Sequence, residues 1–481
     1  MSPLTLPSSP NLWGEGCEGW RGYAEPYPVP GRPPARAGVP GMGEGVSSRR
    51  TRTAATDWLA SLRVYREPRL IAILLMGFSS GLPLALTFGT LSFWLSEVGV
   101  SRTSIGLFAL VGISYSMKFL WSPVIDRMPI PLLTARLGRR RGWALAIQPP
   151  LALAIMALGL TDPRSAPGAT ALAAVIVAFL SASQDIVIDA YRIELLRPEE
   201  QGAGAAATQW GYRGGMLVAS AGALYAASFG GWSFAYGLMA GLMLVGMVTV
   251  WFTPEPRGIG RIERLPGGSS LARVAAWLER AVLAPFTDML SRRGALVILG
   301  FVILYKFGDA LAGTMSNPLY VSLGFSKVEA ANIAKAYGFL AGLAGLALGG
   351  IVVLRIGVFR ALLVCGVLQM LANLMYVLQA WAGHDLATLA LTIGVENLTG
   401  AMGSTAFVAY LSGLCNLDFT ATQYALLTSL AAIGRTTLSA SGGALADAVG
   451  WSPFFVIATA ACLPGLALLV WVMRLEGAGE R

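Results

Sequence analysis

The chain has 481 residues, of which 55% are hydrophobic and 13% are charged, and its formal net charge is +9. A soluble domain has about 25% charged residues, so this composition, with a mean hydropathy of +0.62, excludes an ordinary soluble protein and indicates a membrane protein. The single histidine and the four cysteines show no metal-ligand spacing, so we expect neither a metal nor a cofactor.

The first part of the chain, residues 1–60, is predicted to be a disordered cytoplasmic tail. Residues 1–48 are rich in Pro and Gly and contain no apolar stretch long enough for the core of a signal peptide. Met42 is an alternative start of translation, which would leave residues 1–41 untranslated.

Twelve apolar segments follow, each with about 20 residues or more, the length that a helix needs to cross a bilayer. They lie approximately at residues 70–96, 103–125, 142–160, 169–193, 204–228, 232–253, 294–322, 329–354, 359–382, 386–413, 421–445 and 452–474. Arginines cluster before the first segment and after the second, sixth and eighth, and few basic residues occur in the other loops. By the positive-inside rule both termini are cytoplasmic. This topology explains the positive charge without a nucleic-acid partner.

The segments are predicted to form two similar bundles of six helices, residues 61–253 and 294–474. Similar short sequences recur after the first and seventh segments, and after the second and eighth, at an offset of 225 to 228 residues. Such repeats are typical of transporters whose halves rock around a site at the midplane. A cytoplasmic linker, residues 254–293, joins the bundles, and residues 475–481 form a cytoplasmic C-terminus.

The linker contains apolar residues at helical spacing from Leu271 to Val282, which predicts an amphipathic helix. This helix either lies flat on the inner leaflet or packs against the protein itself.

Two carboxylates close the fourth segment. Asp185 and Asp189 are four residues apart, so they share one helix face with Arg192 one turn further on. A carboxylate inside a lipid-spanning helix costs about 3 kcal/mol on insertion scales, so it requires a partner, a water-filled cavity or a substrate. Since no histidine lies in a segment, Asp185 is the first candidate for proton coupling, followed by Glu396 and Asp189. The alternative is that Asp185 stays permanently paired.

The segments also contain cations, which predict a cavity for an anionic substrate. Three of the four lysines of the chain lie in segments, although arginine is far commoner elsewhere. The aromatic rings beside Arg213 offer flat faces on which a ring of the substrate can stack. The candidate substrate ligands are Gln184, Lys118, Arg213, Tyr212, Trp210, Lys306, Lys335 and Arg435.

Two of these cations have an alternative role as partners of carboxylates. Lys306 and Asp309 are three residues apart and are equally well explained as a local ion pair. Arg435 either binds the anion or pairs with Glu396.

Two pairs near the cytoplasmic helix ends, Asp126 with Arg127 and Asp189 with Arg192, are assigned to gating. Salt bridges at the cytoplasmic ends are favoured there over contact with the substrate. The candidate gating residues are Asp126, Arg127, Arg192 and Asp309.

Seven short motifs follow one another along the segments. They are Gly77-Phe78-Ser79-Ser80-Gly81-Leu82-Pro83, Lys118-Phe119-Leu120-Trp121-Ser122-Pro123, Ser183-Gln184-Asp185-Ile186, Gly211-Tyr212-Arg213, Tyr305-Lys306-Phe307-Gly308-Asp309, Glu396-Asn397-Leu398 and Ala421-Thr422-Gln423-Tyr424. In this order, over residues 70 to about 445, they resemble the AmpG-type muropeptide permeases of the major facilitator superfamily. The pair Asp126-Arg127, followed by basic residues 139–141, is similar to a loop motif of that superfamily, although an insertion separates its two parts.

The resemblance implies an all-α membrane protein with the major facilitator fold, in the bacterial inner membrane. It implies proton-driven import of anhydro-muropeptides, which are anionic sugar-peptides, for cell-wall recycling. It also implies that Ala182, Gln184 and Asp185 are sensitive positions. We expect the transporter to act as a monomer.

Three other functions are weighed against this one. The chain is alternatively a transporter of another anionic metabolite, such as an acyl-coenzyme A or a peptide. A pigment or lipid assembly factor on the same fold would tolerate loss of the buried charges, which this chain retains. An enzyme is not expected, because no nucleophile–base pair or metal cluster lies at spanning depth.

Overall fold

The computed structural model describes residues 63–100, 109–256, 279–326, 329, 331–439 and 441–477, without the side chains of Arg63, Ala109, Leu110, Ala331, Lys335 and Glu476. These residues form helices and no strand, as the all-α prediction requires. The predicted tail 1–60 and most of the predicted amphipathic linker helix lie outside the described residues.

Twelve long helical segments occur in the described part of the chain, and each coincides with a predicted apolar segment. They are α1 (Pro68–Glu97), α2 (109–127), α3 (Arg139–Gly159), α4 (Pro167–Leu195), α5 (201–230), α6 (232–252), α7 (Ala295–Ser322), α8 (Asn332–Ile356), α9 (Val358–Ala382), α10 (Leu386–Leu414), α11 (Thr420–Ser439, continued by Gly442–Val449) and α12 (Trp451–Leu475). Short helices flank them at Arg63–Arg66, Leu133–Leu137, Pro198–Glu200, Glu279–Leu283 and Ala284–Leu290. We call the last of these, Ala284–Leu290, the linker helix.

Eight helical stretches in the described residues have the length and hydropathy needed to cross a membrane. One of them, Pro198–Phe252, has 55 residues and contains both α5 and α6. The segments α2, α10 and α11 are not among the eight. The described part of α2 consists of short consecutive helices, none of which is long enough by itself. The helices α10 and α11 carry Glu396, Arg435 and several Ser and Thr residues, which lower their hydropathy.

Two helices are interrupted where the sequence has Pro or Gly. The first part of α1 ends at Thr87, four residues after Pro83, and the hydroxyl of Thr87 donates to the Pro83 carbonyl at 3.0 Å. A proline inside a helix has no N–H to donate to the carbonyl four residues before it, so Pro83 weakens the hydrogen-bond ladder on its N-terminal side. Gly231 has φ of +76° and separates α5 from α6, a backbone conformation that glycine adopts without a steric penalty.

Glycines bring α1 and α5 into backbone contact. A Cβ added to Gly77 or Gly81 on α1 would collide with the backbone of α5, and one added to Gly211 or Gly215 on α5 would collide with the backbone of α1. Small residues allow such approach between membrane helices, where dispersion contacts replace the hydrophobic effect as the driving force. In the second half Gly345 and Gly349 of α8 lie equally close to α10.

Helices from the two halves of the sequence meet along α5 and α8. The indole nitrogen of Trp210 donates to the Leu343 carbonyl of α8 at 2.8 Å, and the Trp210 ring stacks on Tyr65 with 5.6 Å between ring centroids. Gly202 lies against Val353 and the Gly350 carbonyl. The α5–α8 contact therefore runs from one end of these helices towards their middle.

Gly211→Val tests the α1–α5 contact. Overpacking a tight interface costs typically about 1–3 kcal/mol, and the new methyl groups would collide with the Leu74 carbonyl of α1. We expect the thermal unfolding midpoint in detergent to fall and the purified protein to aggregate. Gly237→Val, on α6 with open space around the glycine, is the matched control, and equal midpoints for both variants would contradict the expectation.

Candidate functional site

The first polar cluster surrounds Asp185 on α4. The hydroxyl of Ser80 on α1 donates a short hydrogen bond to the Asp185 carboxylate. The amine of Lys118 of α2 lies 3.8 Å from the Asp189 carboxylate, and its charge acts on Asp185. Three helices therefore supply Lys118, two carboxylates and a hydroxyl to a single site, and Arg192 lies 3.9 Å from the other oxygen of Asp189.

The two carboxylates lie on one partly exposed face of α4, and we call the space in front of this face the opening. From Ser181 to Ile193 every residue of α4 is buried except Asp185 and Asp189, which are partly exposed. The spacing of four residues between Asp185 and Asp189 predicted that they share one face of α4. Lys118, in contrast, is 8% exposed, so its charge acts mainly on the carboxylates beside it.

Polar residues adjacent to this cluster have different surroundings. Tyr212 of α5 and Tyr115 of α2 lie within electrostatic range of Asp185. Gln184, a predicted substrate ligand, is fully buried, and neither of its amide atoms has a hydrogen-bond partner among the described residues. Its side chain therefore does not face the opening in this conformation.

The second polar cluster lies between α7, α9 and α10. The amine of Lys306 donates to Gln369 at 2.7 Å and to the Gly400 carbonyl at 3.3 Å, and it lies 3.3 Å from the Asp309 carboxylate. The local ion pair considered from the spacing of Lys306 and Asp309 is therefore formed. Asp309, which the sequence assigns to gating, lies in this cluster and not with the other gating candidates.

Glu396 of α10 belongs to the second cluster, where its carboxylate accepts a hydrogen bond from Asn397 at 2.9 Å. The charges that act on it are those of Asp309, Lys306 and Arg213. Arg435 is exposed on α11, so the described residues provide no support for its pairing with Glu396. Lys335 has no described side chain. The Trp210 ring, a predicted sugar-stacking surface, is occupied on one face by Tyr65.

A fully buried ionic network lies at the end of the bundle that carries Arg140, which we call the basic end. Arg140 of α3 lies 2.7 Å from Asp126 and 2.5 Å from Glu194, and it is 1% exposed. The second oxygen of Asp126 accepts hydrogen bonds at 3.1 Å from both the backbone N–H and the hydroxyl of Thr422, in the first turn of α11. A carboxylate at a helix N-terminus satisfies a free N–H and interacts favourably with the helix dipole.

Two more gating candidates join the halves at the basic end. Arg192 of α4 donates to the Ser412 hydroxyl of α10 at 3.0 Å and lies over the ring of Tyr424 at 5.4 Å. Arg127 lies over the ring of Phe419 at 4.6 Å. We call the contacts of Asp126, Arg127 and Arg192 across the halves the latch. The described conformation is therefore closed at the basic end.

The linker helix anchors the α11 side of the latch. The carboxylate of Asp288 accepts hydrogen bonds from Gln423 at 2.7 Å, Arg292 at 2.8 Å and Asn416 at 3.1 Å. Burial by itself would raise the pKa of this carboxyl, but the hydrogen bonds from its three partners hold the pKa below its ordinary range. Since Gln423 follows Thr422, the linker helix fixes the turn that Asp126 caps.

Several of these groups were not found from the sequence as site residues. Ser80 stands inside a motif that was recognised, and Thr422 stands inside another, so a signal existed for both. Arg140 and Glu194 had only the arginine cluster after α2 as a signal. Gln369 of α9 is an isolated polar residue in an apolar segment. A polar side chain at such a position needs a hydrogen-bond partner inside the protein.

Comparison with known proteins gives the family. Residues 71–395 match the family model of the Major Facilitator Superfamily. The Anhydromuropeptide permease of Escherichia coli (strain K12) is 42% identical over 411 residues, which cover 85% of this chain and 80% of that protein. The Putative transporter AmpG 4 of Rickettsia conorii is 35% identical over 415 residues, covering 85% of this chain and 98% of that protein.

Solved structures give the fold. The human organic anion transporter MFSD10 superimposes with a TM-score of 0.59 at 17% identity, covering 85% of this chain and 99% of that one. The proton:xylose symporter XylE superimposes with a TM-score of 0.57 at 14% identity, covering 86% of this chain and 96% of that one. At these identities the similarity is evidence for the fold alone. The chain is therefore a multi-pass membrane protein with the major facilitator fold, and it belongs to the AmpG-type permease family of the major facilitator superfamily.

Proposed function

We propose that this chain is a secondary active transporter that imports anhydro-muropeptides across a bacterial inner membrane together with protons. The 42% identity to the Anhydromuropeptide permease of Escherichia coli supports the substrate class. The observation that carries the mechanism is the pair of carboxylates on α4, which face one opening beside the buried cation Lys118.

The first cluster supplies the two kinds of group that proton-coupled import of an anion needs. A carboxylate is able to take up a proton from one side of the membrane and release it on the other. The amine of Lys118 is a compact cation, and it becomes available to a carboxylate of the substrate when a proton neutralises Asp185 or Asp189. Proton binding and anion binding therefore favour each other at this site.

The latch supplies the gate. With the basic end closed, the opening beside Asp185 is reached from the opposite end of the bundle, which by the arginine distribution faces away from the cytoplasm. Import then requires the latch to open after substrate and proton have bound. Breaking a buried ion pair costs about 3–5 kcal/mol, but Arg140 keeps Asp126 paired when Thr422 leaves, so the cost of opening is reduced.

The moving parts are the two predicted bundles, residues 61–253 and 294–474, with both termini in the cytoplasm and the linker between them. In this arrangement the linker helix moves with the second bundle, because Asp288 is bonded to α11 and its preceding loop. One chain contains both clusters and the latch, so a monomer is sufficient for transport, and no chemical reaction of the substrate is needed.

Uptake into vesicles tests the function. Labelled GlcNAc-anhydro-muropeptide is offered to energised vesicles that contain the protein, with and without a proton uncoupler. Accumulation that collapses with the uncoupler is expected. Absence of uptake by folded protein would contradict the substrate and direct attention to another anionic metabolite, such as an acyl-coenzyme A or a peptide.

Asp185→Asn is expected to abolish accumulation and to leave folded protein in the membrane. The amide still accepts the hydrogen bond from Ser80, but it does not exchange a proton at physiological pH. Uptake with and without the uncoupler measures the effect, and exchange of labelled for unlabelled substrate checks that the site still binds. Asp447→Asn, at an exposed position, is the control. Uphill uptake preserved in Asp185→Asn would remove this residue as the coupling group.

Asp126→Asn is expected to open the basic end in a larger fraction of molecules. The variant loses the negative charge that interacts with the dipole of α11 only while the basic end is closed, whereas Arg140 keeps Glu194 as a partner in either state. Spin labels at the exposed positions Arg136 and Asp418, in a protein whose cysteines have been replaced, report the distance between the halves. A longer distance should gain population relative to the same labels with Asp447→Asn. An unchanged distribution would show that Asp126 does not hold the end closed.

A further inference from the structure

Arg213 is a charged residue of the first half of the sequence whose side chain reaches helices of the second half. It lies on α5, and its guanidinium passes across α8 at Gly342. A Cβ added to Gly342 would collide with Nη1 of Arg213, and the next nearest atoms are Cζ of Arg213 at 3.6 Å and the Asn397 carbonyl at 3.9 Å. The missing side chain of Gly342 thus leaves the gap in which the guanidinium lies, between α8 and α10.

The guanidinium lies within electrostatic range of Glu396. Glu396 is the carboxylate whose charge acts on Arg213, but among the described residues no direct ion pair joins the two. The carboxylate accepts its hydrogen bond from Asn397 instead. Arg213 is partly exposed, so its planar fork of N–H donors remains available to a ligand. This fork matches both oxygens of a carboxylate.

The groups around Glu396 decide what happens when a proton arrives there. Asp309 and Lys306 act on it from α7, and the phenols of Tyr320 and Tyr376 lie within its electrostatic range on α7 and α9. Lys306 is already bound to Asp309 and Gln369. A proton on Glu396 therefore leaves Arg213 as the cation of this region without a carboxylate partner.

We propose that Arg213 binds a peptide carboxylate of the substrate through the gap at Gly342, in competition with Glu396. This inference rests on the proposed function and specifies which part of the substrate is recognised at the junction of the halves. Gly342 is a positioning residue, because its lack of a side chain sets where the guanidinium lies. Arg213 and the first cluster on α4 both belong to the first half, and Arg213 contacts the substrate where its guanidinium reaches α8 and α10 of the second half.

The experiment pairs a change in the protein with a change in the substrate. Binding to purified protein is measured for a GlcNAc-anhydro-muropeptide and for the same molecule with its peptide carboxylates converted to carboxamides. A hydrogen-bonded charge pair contributes about tenfold to a hundredfold in affinity, so amidation should weaken binding to the wild type by at least about tenfold. In Arg213→Gln the unmodified substrate should bind as weakly as the amide, with little further loss on amidation.

Two further variants separate this role from a structural one. Gly342→Ala keeps Arg213 but displaces its guanidinium, so the amidation penalty should shrink, whereas Ala344→Val, at an exposed position of the same helix, should keep it. Glu396→Gln removes the competing carboxylate, so it should tighten binding of the unmodified substrate and weaken its dependence on pH. A general packing defect would not tighten binding.

The outcomes distinguish the carboxylate site at Arg213 from the proposed function on which it rests. An amidation penalty that is unchanged in Arg213→Gln and Gly342→Ala would overturn the carboxylate site and leave the proposed function standing. Weaker binding of the unmodified substrate to Glu396→Gln would overturn the competition. No binding of the muropeptide to the wild type would overturn the substrate assignment and this inference together.

Discussion

Charges buried among membrane helices need partners inside the protein, because neither lipid nor bulk water is there to solvate them. This constraint explains why the polar residues of the chain are gathered into a few clusters. Each cluster joins at least three helices, so the helices must approach closely to bring the partners within reach. The glycines that place α1 against α5 and α8 against α10 provide that approach, and the ion pairs depend on them.

The clusters differ in how completely they are paired, and this difference fits the roles of gate and substrate site that we propose for them. Arg140 contacts two carboxylates at 2.7 and 2.5 Å and is almost wholly buried. Exchanging these partners would therefore cost free energy. Lys118 lies 3.8 Å from Asp189, and Arg213 has a carboxylate nearby without a direct bond. In such loosely paired groups the cation is able to leave its carboxylate for an anion of the substrate, and the carboxylate is able to take up a proton, at a small cost in free energy.

The sequence predicted the helices and the local pairs, and it missed contacts between distant residues. Hydropathy located all twelve segments, and the fourfold spacing of Asp185 and Asp189 predicted their shared face because helical periodicity is local. The bond from Ser80 to Asp185 joins residues 105 apart, and that from Thr422 to Asp126 joins residues 296 apart. Periodicity contains no information about such pairs. For the same reason Arg435 was proposed as a partner of Glu396, whereas the charge that reaches Glu396 from outside the second half comes from Arg213.

The arrangement of the latch has a consequence for biosynthesis. Asp288 is synthesised 135 residues before its partner Gln423, and Asp126 is synthesised 296 residues before Thr422. Arg140 follows Asp126 by 14 residues, so the ribosome delivers it early and the acidic group is neutralised while later helices are still being inserted. The linker helix acquires its partners only when α11 has entered the membrane. Closure of the basic end therefore marks a nearly complete chain, and a product truncated before α11 would expose an unsatisfied linker helix to quality-control proteases.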